Sequence, residues 1–311
     1  MPLISVVIPL YNKGFIIKET LESVLEQTFT DYEIIIVDDG STDNGYEVVK
    51  EFSDNRIHLF QQENKGAASA RNLGIEKSAG IYIAFLDADD HWETNHLEEL
   101  VKLADKYPNC GAYCSRYQIK NSINSIHQPY FKNITNDFYG IVENYFASNH
   151  PYKINITLNQ MIPRNILMEL GCFTESITNG QDLELWTKIA IKYPVALHNK
   201  TTTTYNYYLP NSLSKKSIKS MKLMDFSQFL ENEKQNEDLK DFLDKYRIEY
   251  ALQYKIAGDY ENSKKYLTEV KKTNISLITK ILFNIPSKIL KKLLAFKHWL
   301  RKKGIDFTVY N

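Results

Sequence analysis

The sequence predicts an α/β fold in which a mostly parallel sheet carries helices on both faces and a helical segment follows at the C-terminal end. Two observations support this prediction. Short β-branched runs alternate with amphipathic helical segments over the first 110 residues, and the connections between them are short. Such an alternation requires crossovers, which produce parallel strands. From residue 214 onward the pattern is helical to the end.

The first four predicted strands each precede a helix. The first strand, residues 4–8, ends at Pro9, and Leu21, Val24 and Leu25 have helical spacing in the following segment, 18–26. The next strand and helix pairs are 32–37 with 43–52, 56–61 with 67–77, and 81–86 with 94–107. Ligands bind beyond the carboxyl ends of such strands, so we expect a site in the loops after the first, second and fourth strands.

The remainder of the chain is less regular. Residues 111–210 suggest Tyr-rich strands, a helix near 182–192 and a strand pair near 195–208. We therefore divide the chain into a main domain, residues 1–213, and a helical C-terminal region, residues 214–311. Five residues of the latter have the spacing of a helical hairpin: Tyr250, Tyr254, Ala257, Tyr260 and Tyr266.

The net charge of zero is the sum of an acidic body and a basic C-terminal segment. The chain has 38 basic and 38 acidic residues, but residues 271–311 hold ten of the bases and a single acid, Asp306, which leaves the body at net −9. Within 271–303 the basic residues alternate with apolar ones, and Pro286 divides this amphipathic stretch. It suits an anionic bilayer surface; the alternative is a helix that packs on the body with its lysines in solvent. No motif that reads nucleic acid accompanies the charge, so we expect no nucleic-acid partner.

Composition excludes several classes of protein. A 43% hydrophobic content with only 12 Gly and 9 Pro excludes a disordered or collagen-like chain. Three cysteines, Cys110, Cys114 and Cys172, are too few for a disulfide framework or a zinc site. Residues 1–9 have no basic leader, and no apolar run reaches the roughly 18 residues that span a bilayer. We expect a cytoplasmic protein.

Two acidic clusters follow directly after predicted strands. The second strand runs into Asp38 and Asp39, and the fourth runs into an Asp-Ala-Asp-Asp motif at residues 87–90. An Asp-x-Asp motif suits a divalent cation, because two carboxylates leave coordination positions open for the phosphate oxygens of a substrate. The alternative is an ordinary acidic surface turn.

Four segments together closely resemble the family 2 glycosyltransferases in order and spacing. They are Val-Val-Ile-Pro-Leu-Tyr-Asn at 6–12, Ile-Val-Asp-Asp-Gly-Ser-Thr-Asp at 36–43, Asn-Lys-Gly-Ala-Ala-Ser-Ala-Arg-Asn-Leu-Gly at 64–74 and Phe-Leu-Asp-Ala-Asp-Asp at 85–90. The resemblance is strong over residues 3–110 and moderate to about 215. It implies a GT-A fold for residues 1–213, a nucleotide-sugar donor and transfer with inversion at the anomeric carbon.

The resemblance assigns the nucleotide-sugar site residue by residue. Pro9 and Tyr11 resemble the residues that line the base and ribose pocket, and a Tyr ring can stack on a pyrimidine. Asp39 resembles the carboxylate that accepts the imide N–H of uracil, so a UDP-sugar is favoured, although guanine also offers N–H donors. Arg71 resembles a cation near the nucleotide.

The Asp-x-Asp motif completes the donor side of this assignment. Asp87 resembles the member that contacts the ribose and the metal shell, Ala88 is part of the donor-binding motif, and Asp89 resembles the direct ligand of a divalent cation, Mn²⁺ or Mg²⁺. Asp38 and Arg71 also have structural interpretations. Asp38 would form hydrogen bonds at the end of the second strand, and Arg71 would be one half of a surface ion pair.

An inverting transfer needs a base on the face opposite the leaving group. Residues 171–173 and 179–186 resemble the family segment in which Glu-Asp begins a helix that ends in Leu-Trp, and Asp182 takes the position of the base. Gln181 stands where the family usually has Glu. Asp182 also has a plain role as a helix first-turn acid, Glu184 is a weaker candidate for the base, and Trp186 is favoured as a core residue.

A second departure from the family lies at residue 209. Leu209 stands where many relatives have a His that approaches the donor diphosphate, and Lys215 and Lys216 either substitute for it or form a solvated charge run. The Gln-x-x-Arg-Trp signature of processive synthases is absent from the sequence, which favours the addition of one sugar per encounter.

The resemblance implies a metal-dependent hexosyltransferase that extends a lipopolysaccharide, capsule or other surface glycan, with a glycan or lipid-linked glycan as acceptor. The basic C-terminal stretch adds the expectation of a place at the inner face of the plasma membrane. The alternative is a non-catalytic nucleotide-sugar-binding or assembly partner at the membrane, for which Gln181 is the main support. A nucleotidyltransferase is disfavoured, because no early Gly-rich loop carries Arg and Lys.

Overall fold

The computed structural model describes residues 1–209 and 217–302. Its strands are β1 (Ile4–Leu10), β2 (Tyr32–Asp38), β3 (Ile57–Gln61), β4 (Tyr82–Phe85), β5 (His91–Trp92), β6 (Ala112–Ser122), β7 (Ser125–His127), β8 (Tyr139–Ile141), β9 (Gln160–Pro163) and β10 (Val195–Tyr205). Its α-helices are α1 (Ile17–Leu25), α2 (Gly45–Lys50), α3 (Ala67–Lys77), α4 (His96–Lys106), α5 (Tyr145–Ser148), α6 (Arg164–Leu170), α7 (Gln181–Lys192), α8 (Leu230–Gln235), α9 (Glu237–Ile256), α10 (Tyr260–Thr268), α11 (Leu277–Asn284) and α12 (Ser287–Lys302). Lys215, Lys216, Lys303 and the predicted boundary after residue 213 lie outside the described residues.

One central sheet has the order β3-β2-β1-β4-β9-β6-β10-β5. The first four strands are parallel, as predicted. The other half is mixed, because β9 is antiparallel to both β4 and β6, whereas β10 is parallel to β6. The predicted α/β class is confirmed, and its mostly parallel character holds for the half of the sheet that carries the sequence motifs.

Helices cover both faces of the sheet, as the near-continuous apolar strands require. Successive residues of β1 point to opposite faces: Val7 belongs to a hydrophobic cluster with residues of α3, α6 and α7, whereas Val6 and Ile8 belong to a cluster with residues of α1 and α4. The sheet therefore has two buried faces, and the edge formed by the carboxyl ends of β1, β2 and β4 is where their loops can reach a ligand.

Residues 195–208 form a single strand, β10, followed by a short turn, so the prediction of a strand pair is wrong. The pairing of β10 with β6 shifts register between His198 and Thr201 and again between Thr201 and Thr203. These irregularities interrupt the alternation of polar and apolar residues, which produced the false signal of a turn.

The C-terminal helices pack on the main domain. Leu239 and Phe242 of α9 lie in the same hydrophobic cluster as residues of α3 and α7. The predicted hairpin is formed by α9 and α10, with the rings of Tyr254 and Tyr266 stacked at a centroid distance of 5.8 Å. Among the described residues, no helix is both long and apolar enough to span a bilayer.

Candidate active site

The loops after β1 and β2 hold each other in place. Asn12 has a positive φ of 51°, and its side-chain oxygen accepts a hydrogen bond from Thr42 N at 2.8 Å. The backbone N–H of Asp39 donates to the carbonyl oxygen of Leu10 at 2.8 Å. Pro9 lies in β1 beside Val37, and the Tyr11 side chain is 46% exposed beyond the strand. A ligand can therefore reach the Tyr11 ring at this edge.

Asp39 is a buried carboxylate that organises the loop before α3. Its Oδ1 accepts hydrogen bonds from Lys65 N at 2.8 Å and from Gln62 Nε2 at 2.7 Å, and its Oδ2 accepts one from Gly66 N at 2.8 Å. A carboxylate offers about four acceptor positions, and contacts within the protein occupy three of those of Asp39. The neighbouring Asp38 has the strand-end role that was its structural alternative, since it accepts from Ser41 N and from Gln61 Nε2.

Arg71 and Asp87 form an ion pair that links α3 to the end of β4. Arg71 Nη2 lies 2.5 Å from Asp87 Oδ1, and the guanidinium lies over the Phe173 ring at 5.4 Å. Arg71 is only 6% exposed, and its Nε has no hydrogen-bond partner among the described residues. The Asp87 side chain remains 33% exposed, so this carboxylate is held in place and open to a ligand.

Asp89 pairs with a cation that the sequence motifs did not reveal. Its Oδ2 lies 2.5 Å from Lys13 Nζ, and burial raises the pKa of the Asp89 carboxyl despite this neighbour. The preceding Ala88 is buried, and its carbonyl oxygen accepts a hydrogen bond from Thr20 Oγ1. Lys13 follows the Tyr-Asn of the first motif directly, so its position was the signal that could have revealed it.

Asp90 connects the acidic motif to the end of β10. Its Oδ1 accepts a hydrogen bond from Asn206 N at 2.9 Å, and Asn206 Nδ2 donates to the carbonyl oxygen of Asp89 at 2.8 Å. Burial and then the charges of Asp89 and Asp87 raise the pKa of Asp90 well above its usual range. Asp90 therefore links the loop after β4 to the end of β10.

Asp182 lies in the first turn of α7, as predicted. The helix begins after Gly180, which has a φ of 91°. A Cβ atom at this position would lie 2.7 Å from the Tyr250 hydroxyl, so the fold excludes a side chain there. Asp182 Oδ2 lies 3.8 Å from Lys153 Nζ, and the carboxylate is 30% exposed. Gln181 is buried, and its Oε1 has no partner among the described residues.

Two further residues of α7, Glu184 and Trp186, have structural roles. Glu184 is buried and paired with Lys188 at 2.7 Å, which makes it unsuited to accept a proton from a ligand. Trp186 is buried against the rings of Phe85 and Phe173, as its interpretation as a core residue expected.

A cavity of about 550 Å³ lies between the loop after β4 and the first turn of α7. Asp87 and Asp182 both line it, whereas Pro9, Tyr11, Asp39 and Asp89 are not among its lining residues. Its other walls include Lys153, and Tyr246 and Glu249 of α9. The α9 residues come from a helix about 65 positions beyond Asp182 with no motif of their own, so only the packing of α9 on the domain reveals them.

The two residues that the sequence analysis assigned to a divalent cation, Asp87 and Asp89, can be tested against the structure. Within residues 1–209 and 217–302 no group of three or more His, Cys, Asp or Glu side chains is placed to hold a metal ion. The two carboxylates are hard oxygen donors with side-chain exposures of 33% and 20%, which suits a site where a substrate supplies the remaining ligands. The donor set therefore fits Mg²⁺ or Mn²⁺ bound together with a diphosphate.

The family model described as glycosyl transferase family 2 matches residues 5–171. A UDP-Glc:alpha-D-GlcNAc-diphosphoundecaprenol beta-1,3-glucosyltransferase of Escherichia coli, WfgD, is 32% identical over 281 residues, covering 85% of this chain and 98% of its own length. A putative teichuronic acid biosynthesis glycosyltransferase of Bacillus subtilis, TuaG, is 46% identical over 101 residues, covering 32% of this chain and 40% of its own length. An uncharacterized glycosyltransferase of Rickettsia bellii is 35% identical over 60% of this chain, and that match spans only 26% of the relative's length.

Solved structures share the architecture. S. aureus TarS 1–349 in complex with UDP-GlcNAc aligns with a TM-score of 0.62 at 17% identity, covering 88% of this chain and 93% of that one. The mannosyltransferase PcManGT from Pyrobaculum calidifontis, in complex with GDP-Man and Mn²⁺, aligns with a TM-score of 0.56 at 16% identity, covering 97% of this chain and 86% of that one. At these identities the similarity shows the fold, which is the GT-A fold that the sequence motifs implied.

Proposed function

The chain belongs to glycosyl transferase family 2, and on that premise we propose that it transfers a sugar from a nucleotide-sugar donor to a hydroxyl group of a growing surface glycan, with inversion at the anomeric carbon. One observation carries the proposal: Asp87, which Arg71 holds on the donor side, lines the same cavity as Asp182, the candidate base. Such an arrangement supports a donor and an acceptor that meet between the two carboxylates. The names of WfgD and TuaG support a role in surface-glycan synthesis.

The proposed donor is a UDP-sugar. The remaining acceptor position of Asp39 suits the imide N–H of uracil, and the exposed Tyr11 ring suits stacking on the base beside Pro9. The name of the E. coli relative includes UDP-Glc, and the TarS structure contains UDP-GlcNAc. PcManGT contains GDP-Man, so GDP is the competing nucleotide.

The proposed metal is Mn²⁺ or Mg²⁺, held by Asp89 and Asp87. When bound, the cation would offset the negative charge that develops on the leaving diphosphate. The chain contributes two cations of its own, because Lys13 and Arg71 already contact these carboxylates. Lys13 and Arg71 would add positive charge beside the phosphates of a bound donor.

The proposed reaction is a direct displacement. Asp182 accepts the proton of the acceptor hydroxyl as this oxygen attacks the anomeric carbon and the bond from that carbon to the diphosphate breaks. Lys153 provides the counter-charge of Asp182 at 3.8 Å, and the walls of the cavity orient the acceptor hydroxyl toward Asp182.

Donor and metal binding are tested by thermal unfolding of the purified protein. We expect UDP with Mn²⁺ at about 100 times its Kd to stabilise the wild type by about 2.7 kcal/mol, which raises Tm by about 5 °C. Asp89→Asn should lose the Mn²⁺-dependent part of this shift because one metal ligand is removed. Asp105→Asn, a matched change on the exposed surface of α4, should retain the whole shift. Equal shifts in Asp89→Asn and wild type would refute the metal assignment.

We also propose that α11 and α12 hold the enzyme on an anionic membrane surface, at the cytoplasmic face where a lipid-linked acceptor is available. Residues at the start of α12 attach it to the body: Ser287 Oγ donates to the carbonyl oxygen of Lys255 at 2.8 Å, and Leu290 is buried. Most of the other apolar residues of these two helices are exposed to solvent: Leu277, Ile278, Ile281, Ile289, Leu293, Leu294, Phe296 and Trp299. The lysines interleaved with it are exposed too, which makes an anionic bilayer the partner that complements both properties: Lys280, Lys288, Lys291 and Lys292.

Vesicle sedimentation tests this membrane proposal. We expect the triple change of Lys288, Lys291 and Lys292 to Gln to weaken binding to phosphatidylglycerol vesicles by about 100-fold, since each lysine contributes roughly 1 kcal/mol near such a surface. The matched change of the exposed Lys18, Lys50 and Lys77 to Gln should leave binding unchanged. Equal binding by both triple variants would contradict the proposed role of this helix.

A further inference from the structure

Two carboxylates of the cavity wall share one ammonium group, that of Lys153. Its Nζ lies 3.8 Å from Asp182 Oδ2 and 5.3 Å from the centroid of the Tyr246 ring. Glu249 follows Tyr246 by one turn of α9, and both line the cavity together with Lys153 and Asp182. The charge of Lys153 also stabilises the Glu249 carboxylate. Lys153 therefore has two acidic neighbours, one from α7 and one from α9.

Contacts within the protein hold Lys153 and Glu249 in place. The Tyr117 hydroxyl donates a hydrogen bond to the carbonyl oxygen of Lys153 at 3.1 Å. Glu249 is half-buried and accepts a hydrogen bond from Gln253 Nε2 at 3.1 Å. Burial raises the pKa of Glu249, and the charge of Lys153, the Gln253 hydrogen bond and the charge of Lys297 on α12 oppose this rise. The Lys153 ammonium therefore helps to keep Glu249 charged.

Other titratable groups also face the cavity. They are Asp87 of the loop after β4, Tyr117 of β6, His150 and Tyr152 of the segment before Lys153, Tyr205 of β10, and Lys245 and Tyr250 of α9. Burial raises the pKa of Tyr117, Tyr246 and Tyr250 and lowers that of His150. On α7 itself, Glu184 and Lys188 pair with each other. Among the described residues, Lys153 is the cation that pairs with Asp182.

We propose that Lys153 and Glu249 are positioning residues that together set the pH range over which Asp182 serves as the base. Lys153 favours the charged carboxylate that accepts the proton, because a nearby opposite charge stabilises the ion. Glu249 competes for the same ammonium group and so weakens its hold on Asp182. This balance matters, since a carboxylate that is held too firmly as an ion is a poor base. The inference rests on the proposed function, and Glu249 lies beyond the segment matched by the family model.

Titration of the Asp182 carboxyl group in the full chain tests this inference without turnover. In protein labelled with ¹³C at the aspartate carboxyl carbons, the Asp182 signal is assigned by its loss in Asp182→Asn and followed as a function of pH. We expect Asp182 to titrate about one pH unit higher in Lys153→Met than in the wild type. In Glu249→Gln it should titrate roughly 0.5 unit lower. Lys153 is 32% exposed and Gln has the shape of Glu, so both variants should fold.

The pH dependence of kcat/KM should change in parallel, measured with a UDP-sugar donor and N-acetylglucosaminyl alkyl diphosphate as the acceptor probe. Activity falls at the pH where the base becomes protonated, so this acidic limb should move up in Lys153→Met and down in Glu249→Gln. Lys153→Arg keeps the charge and should restore the wild-type limb. Glu261→Gln and Lys264→Gln change exposed charges of α10 and should leave the limb in place.

Glu249→Gln in the Lys153→Met background separates competition for the ammonium group from a direct effect of the Glu249 charge. We expect little further shift there, because the shared cation is gone. The inference is overturned if the two single variants shift the Asp182 titration in the same direction or not at all. An equal effect of Glu249→Gln in both backgrounds would also overturn it. Failure of the proposed function has a different signature, since the titration shifts would then occur in a protein that transfers no sugar.

Discussion

Asp182→Asn is expected to lower kcat for sugar transfer by about 10²–10⁴-fold, the contribution of a positioned general base. The amide keeps the size of the side chain but cannot take the proton from the acceptor hydroxyl. Because Asp182 is 30% exposed at the cavity and its nearest cation is 3.8 Å away, the change should leave the fold intact. Release of nucleoside diphosphate at saturating acceptor measures kcat, and donor-dependent thermal stabilisation should be unchanged.

Glu184→Gln provides the matched control in the same helix. Glu184 is buried and paired with Lys188, so its loss should lower stability while kcat stays within a fewfold of the wild-type value. An Asp182→Asn protein that is folded and transfers sugar at the wild-type rate would remove Asp182 from the reaction.

Arg247→Met is expected to lower the free energy of unfolding by about 3–5 kcal/mol, the cost of breaking a buried ion network from one side. Arg247 is fully buried, and its guanidinium contacts Glu233 at 2.6 Å and Asp244 at 3.1 Å. It also lies 4.6 Å from the centroid of the Phe226 ring. Without the arginine, Glu233 and Asp244 would retain only the Lys240 ammonium among the cations that pair with them in the described residues. Urea unfolding monitored by circular dichroism measures the loss.

Arg56→Met is the control for Arg247→Met. Arg56 pairs with Asp54 at 2.8 Å, but both side chains are 27% exposed, so we expect a loss below about 1 kcal/mol. Similar losses in the two variants would show that the network around Arg247 contributes no more than a surface pair. A large loss confined to Arg247→Met would support α9 as an integral part of the domain that forms the cavity.

The sequence predicted the parts of the site that depend on residues close together in the chain. Asp39 follows β2 directly, and Asp87 and Asp89 lie in the loop that begins after β4 ends at Phe85. The carboxyl ends of parallel strands lie at one edge of a sheet, so the proximity of these loops follows from the order of the strands. Asp182 was predicted through its resemblance to a family segment, and the structure places it on the cavity wall. The assignment of roles to these residues remains a proposal.

The parts that the sequence did not predict depend on contacts between distant segments. The pair between Lys13 and Asp89 joins residues 76 positions apart, and a lysine in a polar loop carries no sign of its partner. Tyr246 and Glu249 reach the cavity only because α9 packs on the main domain. In β10, register shifts within a Thr-rich run removed the periodicity that distinguishes one strand from two.

The proposed activity is tested most directly by the release of UDP from UDP-sugars in the presence of Mn²⁺ and of N-acetylglucosaminyl alkyl diphosphate. We expect the wild type to release UDP together with a β-linked disaccharide product when the donor is an α-linked UDP-sugar, and Asp182→Asn to bind the same donor with little release. The absence of transfer from UDP- or GDP-sugars by a wild-type protein that binds them would contradict the account and would identify a non-catalytic nucleotide-sugar binder.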